Sequence, residues 1–275
     1  MTTTEPKADQ SLEHIVYGIG LLAGGANVIM QLARPGVGHG VVESRVESGR
    51  LFDHPIKRTR TTLAYLSVAT MGSDEDKKAY REAVNVAHRQ VRSFPDSPVK
   101  YHAMDPNLQL WVAACLYRGF EDIHALLGGE LTPEAAAAVY AGARTLGTTL
   151  QVRESMWPAD REAFEKYWDA GLALVSIDDT VREHLLHIVN LSYLPKPFGA
   201  LFGPFNAFVT TGFLPAEFRD EMRLTWTPRK QRRFERMMRV IGTVVRHQPK
   251  ALREFPFNYY LWDVRKRMRD GRPLV

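Results

Sequence analysis

Apolar positions recur with a helical period along nearly the whole chain. The clearest case is Asp76–Arg92, DKKAYREAVNVAHRQVR, where Ala79, Tyr80, Ala83, Val84, Ala87, His88 and Val91 line one face. Lys77, Lys78, Arg81, Glu82, Asn85, Arg89 and Arg92 fill the other. This pattern predicts an amphipathic helix with His88 pointing inward. A buried imidazole needs partners for its ring nitrogens, and a carbonyl, a carboxylate, a hydroxyl or a metal can each serve. On the pattern alone, a satisfied core histidine is the plainer reading.

Other segments follow the same period. Arg58–Met71 predicts a helix opening on Thr59, Thr61 and Thr62, poor interior helix residues whose hydroxyls suit a cap or a polar pocket. Gly72-Ser73-Asp74-Glu75 ends it and caps the next helix. Asn107–Leu127 reads as an apolar helix stopped by Gly128-Gly129, and Thr132 with Pro133 marks the start of another. MWPADREAFEKYWDAGLAL predicts another helix, with Pro158 early in it and Phe164, Tyr167, Trp168 and Leu172 on one face. Asp179–Leu191 carries His184 and His187 on one face, a spacing that would need carboxylates from a second helix to hold a metal. Pro228–Gln248 presents Phe234, Met237, Met238, Ile241, Val244 and Val245 as a core stripe, and an aromatic-rich helix follows from Phe255, its rings expected to pack on the body.

Two stretches break the period. RPGVGHGVVESRVESGRLFDHPIKR predicts a loop with short helical pieces, in which His39 and His54 are expected to be solvated. YLPKPFGALFGPFNAFVTTGFLPAEFR predicts short helices mixed with turns. The small residues Gly20, Ala23, Gly24, Gly25 and Ala26 suit either close helix packing or backbone approach to a flat cofactor, and they lack the setting of a phosphate-binding loop. Residues 1–10 are expected to be disordered and residues 11–275 to form one helical domain, with Ser11 opening its first helix. No segment alternates convincingly as a strand. The fold class expected is all-α, a single multi-helix globular domain.

Composition narrows the function. The 275 residues are 45% hydrophobic, enough for a large core. Cys115 is the only cysteine, so intramolecular disulfides and multi-cysteine metal sites are excluded, and its apolar surroundings suggest core packing. Arg219 to Arg272 holds 16 Lys/Arg against 6 Asp/Glu, while the net charge of the chain is +5. These cations interleave with the core stripe and match no nucleic-acid motif, so a solvated helix face is expected and nucleic acid is not. The polar, acid-containing start resembles no targeting segment and Ile15–Ala33 is interrupted by glycines, so a cytoplasmic protein without a transmembrane segment is expected.

Five stretches, in order, carry a family resemblance: MQLARPGVGHGVVES, HPIKRTRTTLAYL, AVNVAHRQVRS, YHAMDPNLQLWVAACL and TTGFLPAEFRDEMRLTWT. Together they resemble the oxygenase family of latex-clearing protein (rubber oxygenase) and the mycophenolic-acid biosynthesis oxygenase. The resemblance implies a helical fold with haem b buried between helices and His88 as the proximal iron ligand. It implies that Arg58 and Thr62 line the haem pocket, that Glu43 acts as a base, and that dioxygen is the co-substrate. Thr61 departs from the pattern, because rubber oxygenase has a lysine there, and a hydroxyl cannot replace an amine as ligand or cation. The expected activity is therefore that of a haem oxygenase or oxidase acting on a hydrophobic small molecule other than polymeric rubber. The alternatives are a non-haem metal site built from His39, His54, Glu43 and His88, and a non-catalytic helical protein that binds haem or lipid.

Overall fold

The computed structural model describes residues 12–46 and 51–275, so the expectations for residues 1–10 and Ser11, and for residues 47–50 of the predicted loop, lie outside it. After two 3₁₀ turns, Leu12–Ile15 and Gly18–Ala23, come α1 (Gly24–Leu32), α2 (Pro35–Val42), α3 (Pro55–Met71) and α4 (Asp74–His88). The central helix is α5 (Pro106–Leu127), followed by α6 (Pro133–Ala143), α7 (Thr145–Thr148), α8 (Arg161–Leu172) and α9 (Asp179–Val189). The chain closes with α10 (Lys196–Phe213), α11 (Ala216–Glu221), α12 (Pro228–Arg246), α13 (Lys250–Arg253) and α14 (Phe257–Arg269). Among the described residues the only β pairing is an isolated bridge between Arg92 and His102. The fold is all-α.

α5 runs through the main core because its period buries Trp111, Ala114, Cys115 and Tyr117 together. The Trp111 indole donates to the Met30 carbonyl of α1 at 3.1 Å and stacks on Trp168 of α8 at 5.2 Å. Gly171 makes that stack feasible, since a Cβ there would lie 2.4 Å from the Trp111 ring. The small residues near the start of the chain likewise serve close packing: a Cβ on Gly25 would lie 2.5 Å from the Thr210 hydroxyl of α10. A second, smaller core joins α3, α4 and α14 through Ala64, Val68, Tyr80, Leu261 and Val264.

Three expectations need correction. The stretch from Tyr193 to Arg219 is dominated by one 18-residue helix, α10. Pro195 caps it and Pro197 lies in its first turn, where a missing N–H costs nothing, and packing against α1, α9 and α12 carries it past Pro204. On α12 the stripe is narrower than the periodicity suggests, because Phe234, Met238, Gly242 and Val245 are buried whereas Val244 is 58% exposed. The tail rings do not all pack inward: Phe257 is buried, but Phe255, Tyr259 and Trp262 are about half exposed.

Candidate functional site

α4 begins where its sequence predicts. Ser73 accepts from the Asp76 amide at 3.2 Å and Asp76 accepts from the Ser73 amide at 2.9 Å, a reciprocal cap. The helix ends earlier than periodicity alone suggests, at His88 and not at Arg92. The cause is a long-range pairing: the Ser93 amide donates to the Tyr101 carbonyl and the Ala103 amide to the Val91 carbonyl, each at 2.9 Å. Those bonds pull residues 91–93 out of the helix and bring His102 into the electrostatic surroundings of His88.

His88 therefore sits in the last turn of α4, where the helix dipole favours an imidazolium. Burial acts the other way and wins. Desolvation, then the charge of Arg58 and then His102, depress its pKa to about 4, so the ring is neutral at pH 7. Its Nδ1 is buried and has no hydrogen-bond partner.

Arg58, in the first turn of α3, is the cation whose charge reaches it. Burial lowers the Arg58 pKa, partly offset by Tyr80, and no carboxylate pairs with the guanidinium among the described residues. Thr61 and Thr62 both turn back, each hydroxyl donating to the Arg58 carbonyl at 3.0 Å. Thr61 is half-buried and Thr62 exposed. The Thr61 carbonyl accepts from the buried Tyr80 hydroxyl at 2.7 Å, which locks α3 to α4 between Arg58 and His88. One turn before His88, Asn85 accepts from Gln151 at 2.6 Å, and Gln151 is itself held by Gln109 of α5.

Glu43 belongs to a separate cluster. It caps the C-terminus of α2, and one carboxylate oxygen meets His39 Nδ1 at 2.9 Å. The other accepts from Tyr101 at 2.8 Å and from Ser97. Burial raises the Glu43 pKa, but the bonds from Ser97, Tyr101 and His39 outweigh it and leave the carboxyl below its usual range. Tyr101 is pushed up to about 12 by burial and by its bond to Glu43.

His39 corrects the expectation of a solvated loop residue, because it lies inside α2 and is 3% exposed. Its Nε2 meets Asp178 at 2.7 Å, so the ring bridges two carboxylates. Asp178 also caps α9 through the Val181 amide at 2.9 Å, and that cap with His39 outweighs burial to lower its pKa. Sequence reasoning missed Asp178, His102 and the Gln109–Gln151 link. Each is distant in sequence from the group it touches, and only an N-cap signal at Asp178 was available locally. The two clusters connect through neighbours in the chain, Tyr101 on Glu43 and His102 facing His88.

The other histidines singled out in the sequence do not join them. His54 is exposed at the start of α3, His184 packs on Phe52 at 4.5 Å, and His187 meets the Ser192 hydroxyl at 2.7 Å. No three His, Cys, Asp or Glu side chains converge as a metal-binding group among the described residues, so His39, His54, Glu43 and His88 do not assemble into the alternative non-haem site.

Residues 13–243 match the family described as ER-bound oxygenase mpaB/B'/Rubber oxygenase, catalytic domain. The chain belongs to this family. Membership in the mpaB/rubber oxygenase family agrees with the resemblance carried by the five ordered stretches and with an oxygenase role, implying dioxygen and a small-molecule substrate. The chain is also 54% identical over 255 residues to Uncharacterized protein Mb2261 of Mycobacterium bovis and to Uncharacterized protein Rv2237 of Mycobacterium tuberculosis. Each alignment covers 93% of this chain and 100% of the relative. No solved structure is significantly similar. Among the described residues no helix is long and apolar enough to cross a membrane.

Proposed function

We propose that this member of the mpaB/rubber oxygenase family is a haem b-dependent oxygenase or oxidase acting on a hydrophobic small molecule, with His88 as the iron ligand. One observation carries the reading. A neutral imidazole with an unpartnered buried nitrogen lies within electrostatic reach of a half-buried guanidinium that has no carboxylate among the described residues. A half-buried cation and a buried polar atom without partners are both costly. Haem brings what each lacks, an iron for the imidazole and propionates for the guanidinium, so the residues present fit the group.

When bound, the haem supplies the redox chemistry of dioxygen. The chain's own residues do the rest. His88 offers a lone pair at neutral pH because its pKa of about 4 keeps it deprotonated. Arg58 would provide a fixed positive charge for a propionate of the bound haem. Thr62, exposed near the start of α3, can turn its hydroxyl from the Arg58 carbonyl to a ligand. Thr61 contributes no cation, which separates this pocket from that of rubber oxygenase. Glu43 is in its proton-accepting form at neutral pH, though its lowered pKa makes it a weak base, and the hydroxyls of Ser97 and Tyr101 donate to its carboxylate and hold it in place.

The test is the absorption spectrum of protein purified from haem-replete cells. A Soret band in the wild type that is absent in His88→Ala is the expected result. Colourless wild-type protein that takes up no added haem would overturn the reading. Dioxygen consumption with a reductant and a panel of isoprenoids then separates an enzyme from a haem carrier.

A further inference from the structure

Four large side chains from α13, the turn after it and α14 face solvent: Leu252 (57% exposed), Phe255 (56%), Tyr259 (48%) and Trp262 (50%). They form one strip. The Phe255 and Tyr259 rings are 6.5 Å apart and the Tyr259 and Trp262 rings 5.7 Å. Leu252 and Phe255 also line a cavity with Val245 and Gln248 at the C-terminal end of α12, where Val244 is exposed.

Cations border the strip. Lys266 lies 5.3 Å from the centre of the Trp262 ring, and Arg253 stacks over Tyr17. Arg246 is exposed and close enough to Tyr17 to influence it, which places it at the same end as Arg253. Further along the exposed face of α12 stand Arg232, Arg236 and Arg239, and no ion pair engages the α12 cations among the described residues. The acids nearby are already committed: Glu254 and Glu13 to Lys250, and Asp263 to Arg267.

We infer that this strip is a peripheral docking surface for an anionic lipid bilayer. Aromatic side chains with a polar tip favour the boundary between headgroups and acyl chains, while aliphatic ones enter further. Surface binding grows with apolar area and with cations that meet anionic headgroups, and the strip with its border offers both. A symmetric contact between two copies would set Arg246 and Lys266 against like charges or leave them outside it. Single-stranded nucleic acid would stack on the rings but would have no use for Leu252 and Val244. The inference does not depend on the haem reading, because its test measures vesicle binding.

The test is co-sedimentation of the full chain with vesicles of equimolar phosphatidylglycerol and phosphatidylcholine, beside vesicles of phosphatidylcholine alone. Binding to the anionic vesicles should be at least roughly ten-fold stronger and should weaken with salt. The triple substitution Phe255→Ser, Tyr259→Ser, Trp262→Ser should lower it about ten-fold, with an unchanged far-ultraviolet circular dichroism spectrum. Arg246→Glu with Lys266→Glu should do the same at low salt, and serves where the triple variant fails to fold. Phe198→Ser with Phe202→Ser, on the exposed start of α10, should leave binding unchanged. Equal or absent binding to the two vesicle types, or binding retained by both strip variants, overturns the inference. So does a dimer that the strip variants convert to monomer.

Discussion

His39 and His88 both hold imidazoles among packed helices, and they differ in what their nitrogens meet. His39 has a carboxylate on each side, Glu43 from its own helix and Asp178 from the cap of α9. Each ring nitrogen has a neighbour in hydrogen-bond range, and the two contacts tie α2 to α9. His88 has an orphaned Nδ1, a cation in place of an anion as neighbour, and a depressed pKa. His124 and His184 also leave a buried ring nitrogen without a partner, so His88 is set apart by its orphaned nitrogen in combination with the charge of Arg58 and a pKa pushed down to about 4. Burial alone does not separate His39 from His88, since His39 is the more buried of the two.

That contrast can be broken in several ways. The largest expected effect is on pH dependence. With a folded pKa of about 4 against 6.5 unfolded, His88 stays neutral in the native state while the unfolded chain takes up a proton. Stability from this group is full above pH 6.5 and falls as the pH drops towards 4, by up to about 3 kcal/mol. Urea unfolding of haem-free protein at pH 7 and at pH 4.5, in the wild type and in His88→Ala, measures it; a wild-type loss no greater than that of the variant would remove the premise.

Next is His39→Ala, which removes the imidazole that two carboxylates share and should cost about 2–3 kcal/mol at pH 7. His88→Ala in the haem-free protein removes no hydrogen bond at Nδ1 and should cost roughly 1 kcal/mol or less at that pH. Similar losses for the two variants would erase the distinction drawn between them. Arg58→Met, which removes an unpaired half-buried cation, should leave haem-free stability unchanged or raise it by about 1 kcal/mol while weakening haem retention. The smallest effect is expected from Thr62→Val. Its hydroxyl is exposed and bonds only to the Arg58 carbonyl, so thermal unfolding should move by no more than about 0.5 kcal/mol.

Local signals in the sequence place much of the scaffold. Ser73, Thr132 and Pro133 fall where α4 and α6 start, because caps depend on a few adjacent residues. The all-α class follows from the apolar period, and the family match agrees with the five ordered stretches. What local pattern does not reveal is set by distant contacts. α10 persists through Pro204 because neighbouring helices hold it, and α4 ends at His88 because residues 91–93 pair with residues 101–103. His39 reads as solvated until Asp178, 139 residues away, is seen beside it. The missing partner of His88 is likewise invisible to periodicity, which assigns a face and not a neighbour.

Asp76 has a consequence of its own. It closes the cap that starts α4, and the same carboxylate receives Arg265 of α14 at 2.9 Å. α4 is thus a stiff arm, about 18 Å from Asp76 to His88, anchored at one end by the chain's C-terminal helix. α14 lies outside the family-matched residues 13–243, yet it bears on the arm that carries the histidine. A shortened C-terminus, or a fusion that disturbs α14, would therefore act at a distance on the histidine while leaving every residue around it in place.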